Sequence, residues 1–209
     1  MFVYTKLSRK SDWTYMIETL LITLLVAKIK KYRLTPLFKE WPTYLLLIFA
    51  LLYLYMNYSI FQGNSFFTKY VTAYKVAVVF IFAIMIMKYN LYKAGFISVA
   101  LIALGGLLNN IVIKANGDRM PVFPSFSYTT GYIKPDTFKN LNDGLHVLGS
   151  PATRLAFLGD HIDLGYSIFS IGDVFIFSFV FLITLGVIKQ LNKSCPVNAE
   201  ENKIKSSPL

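Results

Sequence analysis

Two acidic side chains, Glu18 and Asp173, stand inside stretches that are otherwise apolar, WTYMIETLLITLLVA and FSIGDVFI, and two adjacent amides, Asn109 and Asn110, stand in a third, GGLLNNIVI. An ionised group in lipid costs about 2.5–3.5 kcal/mol on insertion scales, so such residues face other protein and often mark function. Two carboxyls sharing one proton would supply the acid pair of a hydrolase. A single carboxylate among amides would instead hold a ligand through hydrogen bonds. A structural reading stands beside both. Asn side chains cross-link helices, Gly105 and Gly106 permit close helix approach, and the Ser170/Asp173 spacing suits a helix N-cap.

The elements that must position these residues are bilayer-length helices. Of 209 residues, 55% are apolar and only 15% charged, against about a quarter charged in a soluble domain. The mean hydropathy is +0.52. The apolar residues are collected into runs, and a run of about 20 suffices to cross roughly 30 Å of hydrocarbon. This predicts an all-α integral membrane protein with about five spans, at residues 13–28, 41–61, 71–88, 94–113 and 166–188. The first is short, holds Glu18 and runs into KIKKYR, so it either spans or lies along the interface. At 1.5 Å per residue, Asp173, Asn109 and Glu18 fall roughly 6–7 Å below one surface and Asn110 roughly 4–5 Å, which converges four polar side chains on one layer.

Lys and Arg outnumber Asp and Glu by 21 to 11, for a net charge of +10, but the bases flank the apolar runs, so they read as membrane flanks and not as a nucleic-acid surface. With five spans, eleven bases fall on one face (Lys28, Lys30, Lys31, Arg33, Lys39, Lys88, Lys93, Lys189, Lys193, Lys203 and Lys205) and five on the other, apart from those at the long loop. The positive-inside rule then places the N-terminus outside, the C-terminus inside, and the loop 115–163, about 49 residues, outside. Residues 1–188 form one transmembrane domain, and 189–209 read as a disordered cytoplasmic tail holding the single Cys195, a free thiol. The loop is rich in Tyr, Phe and Pro, which predicts a folded cap. Within it, Asn116-Gly117 reads as a turn, and Arg119 or Arg154 is placed to pair with Asp160 or Asp173. LGDHID, with Asp160, His161 and Asp163, lacks the convergent ligand set of a metal site and reads as a solvated loop, so neither metal nor cofactor is expected.

The segments NNIVIKANGDRMPV, TRLAFLGD and FSIGDVFI, with ETLLITLLVAKIKKYRL near the start, resemble an uncharacterised bacterial family of small multi-pass membrane proteins, a domain of unknown function. The resemblance covers most of the chain and implies a bacterial plasma-membrane location. GGLLNNIVIK and FSIGDVFI also resemble, more faintly, the two aspartate-bearing motifs of lipoprotein signal peptidase. Asp173 matches the second aspartate and Asn110 the asparagine of the first motif, but the first aspartate falls on Ile113.

Two functions follow as expectations. The first is a non-catalytic protein, with the bilayer around it, that binds a ligand, a lipidated peptide or a membrane-protein partner through Glu18, Asn109, Asn110, Asn116, Arg119, Arg154, Asp160 and Asp173. The second is an intramembrane aspartic hydrolase in which Asp173 is the catalytic candidate and the dyad is incomplete. No GxGxxG, Walker A, HExxH, GxSxG or CxxC motif supports nucleotide, zinc or redox chemistry.

Overall fold

The structure, a computed structural model, describes residues 14–61, 66–133, 138 and 145–194. It is mostly helical. The long helices are α1 (Thr14–Ile29), α2 (Trp41–Phe61), α3 (Val71–Lys88), α4 (Tyr92–Ala115) and, after the cap, α6 (Ile171–Ser194). Between α4 and α6 lie β1 (Met120–Val122), the single-turn α5 (Phe126–Thr129), β2 (His146–Leu148), β3 (Ile162–Asp163) and β4 (Ile168–Phe169). Strand β1 pairs with β2 in parallel, and β3 with β4 antiparallel.

Local chemistry sets the helix ends. Helix α1 closes with Lys31 at φ 59, where Tyr32 N–H reaches Ala27 O (2.9 Å) and Lys31 N–H reaches Lys28 O (2.9 Å). Helix α3 closes in the same way at Asn90, φ 54, with Leu91 N–H on Ile86 O (2.9 Å) and Asn90 N–H on Met87 O (3.3 Å). These are Schellman closures, which satisfy the last carbonyls and reverse the chain within a few residues. Pro42 stands in the first turn of α2, where its missing N–H costs nothing.

The main core lies among α1, α2, α3 and α6, with Met16, Leu46, Val78, Phe82, Met85, Val180 and Ile183 at its centre. Phe82 meets Phe179 edge-on at 4.9 Å, the favoured geometry for an aromatic pair. Tyr74 donates to Phe49 O (3.0 Å), so its hydroxyl enters the apolar α2–α3 contact satisfied. Glu40, just before α2, takes hydrogen bonds from Lys88 Nζ (2.5 Å) and Tyr89 OH (2.6 Å) at the end of α3.

Helix α4 packs along α6 in the most extensive contact between helices. Two glycines allow it. A Cβ on Gly105 would collide with the Gly172 carbonyl oxygen, and one on Gly172 would collide with Asn109 Oδ1. Gly106, next to Gly105, faces open space.

Helices occupy all five of the apolar runs; α2 and α3 have the expected limits, whereas those of α1, α4 and α6 differ. The last helix starts at Ile171, because residues 162–169 fold into a hairpin turned at Gly165, φ 82, and Ser170 caps the helix. It also continues to Ser194, so residues 189–194 are helical where a disordered tail was expected; Cys195 and the rest of the tail lie outside the described residues, as does Trp13. The short strand pairs qualify an all-α description. Among the described residues, two helices, Tyr92–Ala115 and Ile171–Lys193, are long and apolar enough to cross a membrane; shorter apolar stretches run Trp41–Met56 and Val76–Lys88.

The glycine contact yields a graded expectation. Gly172→Ala should destabilise the protein by roughly 1–3 kcal/mol through overpacking. Gly106→Ala, pointing into open space, should be neutral or slightly stabilising through helix propensity. Thermal unfolding of the two variants in detergent, followed by circular dichroism, separates them; equal midpoints would remove the close approach from the account.

Candidate functional site

Asn109 lies one turn beyond Gly105 on α4, and Asp173 lies in the first turn of α6, so the glycine contact brings the two side chains together. Asn109 Nδ2 donates to Asp173 Oδ1 (2.8 Å). Ser170 N–H donates to Asp173 Oδ2 (2.9 Å), and Asp173 N–H donates back to Ser170 Oγ (3.1 Å). This reciprocal pattern is a capping box with Asp in the Glu position, and it satisfies two otherwise orphaned backbone donors. The Ser170 hydroxyl lies 2.8 Å from Asn109 Oδ1 and 2.9 Å from Asp173 Oδ2, so its one proton serves one of two acceptors. Asp173 is 7% exposed and Ser170 fully buried.

Chemically, the carboxylate is engaged on both oxygens. Its position near the start of α6 also places its negative charge at the favourable end of the helix dipole. Asn109 and Ser170 are an amide and a hydroxyl, neither of which can share a proton between two carboxyls as an acid pair requires. Ile113, at the position of the first aspartate in the peptidase-like motif, packs against the small cluster of Val112, Met120 and Leu158.

The other candidates are dispersed. Asn110 is exposed, a helix step round from Asn109. Glu18 Oε1 accepts from Tyr166 OH (3.2 Å) in the turn between β3 and β4. Asn116 clamps the backbone of Arg154: its Nδ2 donates to Arg154 O (2.9 Å) and to Val112 O (2.8 Å), while its Oδ1 accepts from Arg154 N–H (3.0 Å). The Arg119 and Arg154 side chains are exposed, and the expected pairing with Asp160 or Asp173 is not formed among the described residues. Asp160 is 6% exposed and bridges by its backbone to β1, with Asp160 N–H on Pro121 O (2.9 Å) and Phe123 N–H on Asp160 O (2.8 Å).

The LGDHID segment is therefore not a solvated loop. Asp163 is the clasp of the cap, accepting from Ser125 N–H (2.7 Å), Ser127 N–H (2.8 Å), Ser127 Oγ (2.5 Å) and Gly165 N–H (2.7 Å). His161 stacks on Phe123 at 4.0 Å and directs Nε2 at Ala156 O (2.7 Å). Among the described residues there is no group of three or more His, Cys, Asp or Glu side chains able to hold a metal ion. Asn192, which no sequence motif singles out, grips the backbone of Arg33 as Asn116 grips Arg154: Arg33 N–H reaches Oδ1 (2.8 Å), and Nδ2 reaches Arg33 O (2.9 Å) and Ile188 O (2.8 Å). An Asn one turn beyond the end of an apolar run was the available signal.

Fold and site together define a predominantly helical protein with two helices capable of crossing a bilayer, joined by a hydrogen-bonded cap. The chain belongs to a family of unknown function (DUF5317), whose family model matches residues 34–185. The search of curated proteins and the search of solved structures both find no match.

Asp163 carries a pH prediction. Burial alone would raise its pKa, but the hydrogen bonds from Ser127, Ser125 and Gly165 hold it below the ordinary 3.8. A carboxylate whose folded pKa is depressed contributes stability that is complete above its unfolded pKa, about 3.9, and is lost as pH falls through the folded value. Thermal unfolding should therefore weaken below about pH 4. Asp163→Asn should destabilise at pH 7 by roughly 2–3 kcal/mol and flatten that acid limb. An unchanged acid limb in the variant would exclude Asp163 as its source.

Proposed function

We propose that the protein is a multi-pass membrane protein of the bacterial plasma membrane, with spans at 13–28, 41–61, 71–88, 94–113 and 166–188, the N-terminus outside and the C-terminus inside, and that its outer cap binds a lipidated peptide or a membrane partner without catalysis. The observation that carries the membrane part is where the apolar side chains point. Phe96 is 79% exposed, Ile29 71%, Val99 66%, Phe80 64% and Leu51 58%, on four different helices. Large apolar side chains exposed on each of four helices favour a surrounding of lipid, which covers them at no cost. The flanking bases and the positive-inside rule supply the orientation.

The binding part rests on the cap. Asn116, Asp163 and the Asp160 bridge tie it to itself and to the end of α4, yet Phe126 (54%), Leu155 (41%) and Phe157 (65%) remain exposed on it. Leu155 sits at φ 50, a left-handed conformation that disfavours a branched side chain and is kept only where surrounding contacts impose it. The Asn116 grip on the preceding residue is such a contact. Asp173, Asn109 and Ser170 act in this reading as the rigid seat of the cap, since their hydrogen-bonding groups are turned toward one another.

Two measurements test the reading. An impermeant thiol reagent applied to intact cells should modify a cysteine introduced at Ser150 and spare Cys195; the reverse pattern would invert the topology. In detergent, a fluorescent diacylated peptide should bind the protein saturably, and Phe157→Asp should weaken binding about tenfold, in line with loss of an aromatic anchor. Equal binding by wild type and variant would remove the cap from the binding role.

A further inference from the structure

At the end of the bundle where Asn192 grips Arg33 and Glu40 pairs with Lys88, a cavity of about 430 Å³ opens between α1, the turn before α2, α2, α3 and α6. That volume falls within the roughly 300–1,000 Å³ of small-molecule sites. Leu20 and Leu24 of α1, Leu47 and Ala50 of α2, and Met85 of α3 make its walls apolar. Hydroxyls on its lining come from Thr43, Thr184 and the exposed Tyr44, and those of the two threonines are buried. Their Oγ1 atoms are buried without a hydrogen-bond partner among the described residues, and Thr184 is only 3% exposed. Buried hydroxyls are nearly always satisfied, so two orphans lining one apolar cavity call for an acceptor supplied from outside the chain.

Depth and charge narrow what brings it. Thr43 lies two residues into α2, roughly 3 Å along its axis, and Thr184 lies five residues before Lys189, roughly 7 Å. Leu20 lies nine residues from the end of α1, roughly 13 Å, which is close to half of a 30 Å hydrocarbon layer. The cavity thus runs from the depth of lipid ester groups nearly to the bilayer midplane. Its mouth is basic: Phe38 lines it next to exposed Lys39, and Lys28, Lys30 and Lys31 are exposed at the end of α1. The nearby Glu40 is neutralised by Lys88.

Resting on the membrane reading above, we infer that this cavity is an inner-leaflet lipid site. It takes one acyl chain of an anionic diacyl phospholipid, whose ester carbonyl accepts hydrogen bonds from Thr43 and Thr184 and whose phosphate meets the basic rim. A prenyl lipid or a free fatty acid would fill the apolar part, but the first lacks an ester at the hydroxyls, and the second would have to place its own carboxylate there instead of at the Lys residues.

The test uses the full chain, purified in mild detergent, delipidated, and titrated separately with dioleoyl phosphatidylglycerol, dioleoyl phosphatidylcholine and oleic acid, with adducts read by native mass spectrometry. Phosphatidylglycerol should bind about tenfold more tightly than phosphatidylcholine, as charge at a basic rim requires. Thr184→Val, which keeps the shape and removes the hydroxyl, should weaken phosphatidylglycerol about fivefold. Ala50→Trp, which fills the cavity, should abolish the tight adduct. Unchanged phosphatidylglycerol binding in both variants, or tighter binding of oleic acid than of phosphatidylglycerol, would overturn the inference. Alkaline carbonate extraction of the parent membranes distinguishes the two levels: release of the protein would sink the membrane reading itself, whereas retention with unaltered lipid binding would sink only the lipid site.

Discussion

The close approach of two helices, Gly105 of α4 against Gly172 of α6, is the constraint on which the rest turns. With no side chain between them, the backbones come near enough for Asn109 to reach Asp173 across the seam. Asp173 can then serve both as the cross-link and as the cap of its own helix, through Ser170. In the bilayer proposed above, helices gain little from hydrophobic burial against each other, so small residues and buried hydrogen bonds would supply the association. Opening the seam by one methyl group would lose both the packing and the capped carboxylate, because the position of Gly172 is already occupied from outside by Asn109 Oδ1.

What happens at the ends of the bundle follows from this seam. Helix α4 ends at Ala115, and Asn116 uses its amide as a spare peptide group to hold Arg154 in place. At the far end of α6, Asn192 does the same for Arg33. Each amide also donates back to the carbonyl four residues earlier, so one side chain ends a helix turn and fixes an incoming segment at once. Between these clamps, Asp163 gathers backbone donors from both sides of the cap and gives a short, strand-poor segment a defined shape. The cap leaves large apolar side chains such as Phe157 uncovered, and the proposed binding role rests on them.

The sequence was most legible where the physics is one-dimensional. Five apolar runs are read directly as five helices, and the Ser170–Asp173 spacing already carried the capping option that the structure realises. It was least legible where a rotation or a turn decides the outcome. Asn109 and Asn110 are nearly indistinguishable by depth, but a step of 100° on the helix turns one into the seam and the other outward. The start of α6 was displaced because Ile168 and Phe169 are as apolar as the helix they precede, and only their pairing with β3 reveals a strand. Asp163 passed for a solvated acid because its partners, Ser125 and Ser127, lie far away along the chain, and a run of Asp and His looks the same whether it faces water or backbone amides.

The central claim is that Asp173 and Asn109 act on each other, as a cap and a cross-link, before they act on anything else. A double-mutant cycle with Asn109→Ala and Asp173→Ala, read as unfolding free energy in mixed micelles, tests it most directly. The account predicts a favourable coupling of at least about 1 kcal/mol, so that the double variant is less destabilised than the two single losses added together. Strict additivity, within roughly 0.3–0.5 kcal/mol, would contradict it and release Asp173 for another role.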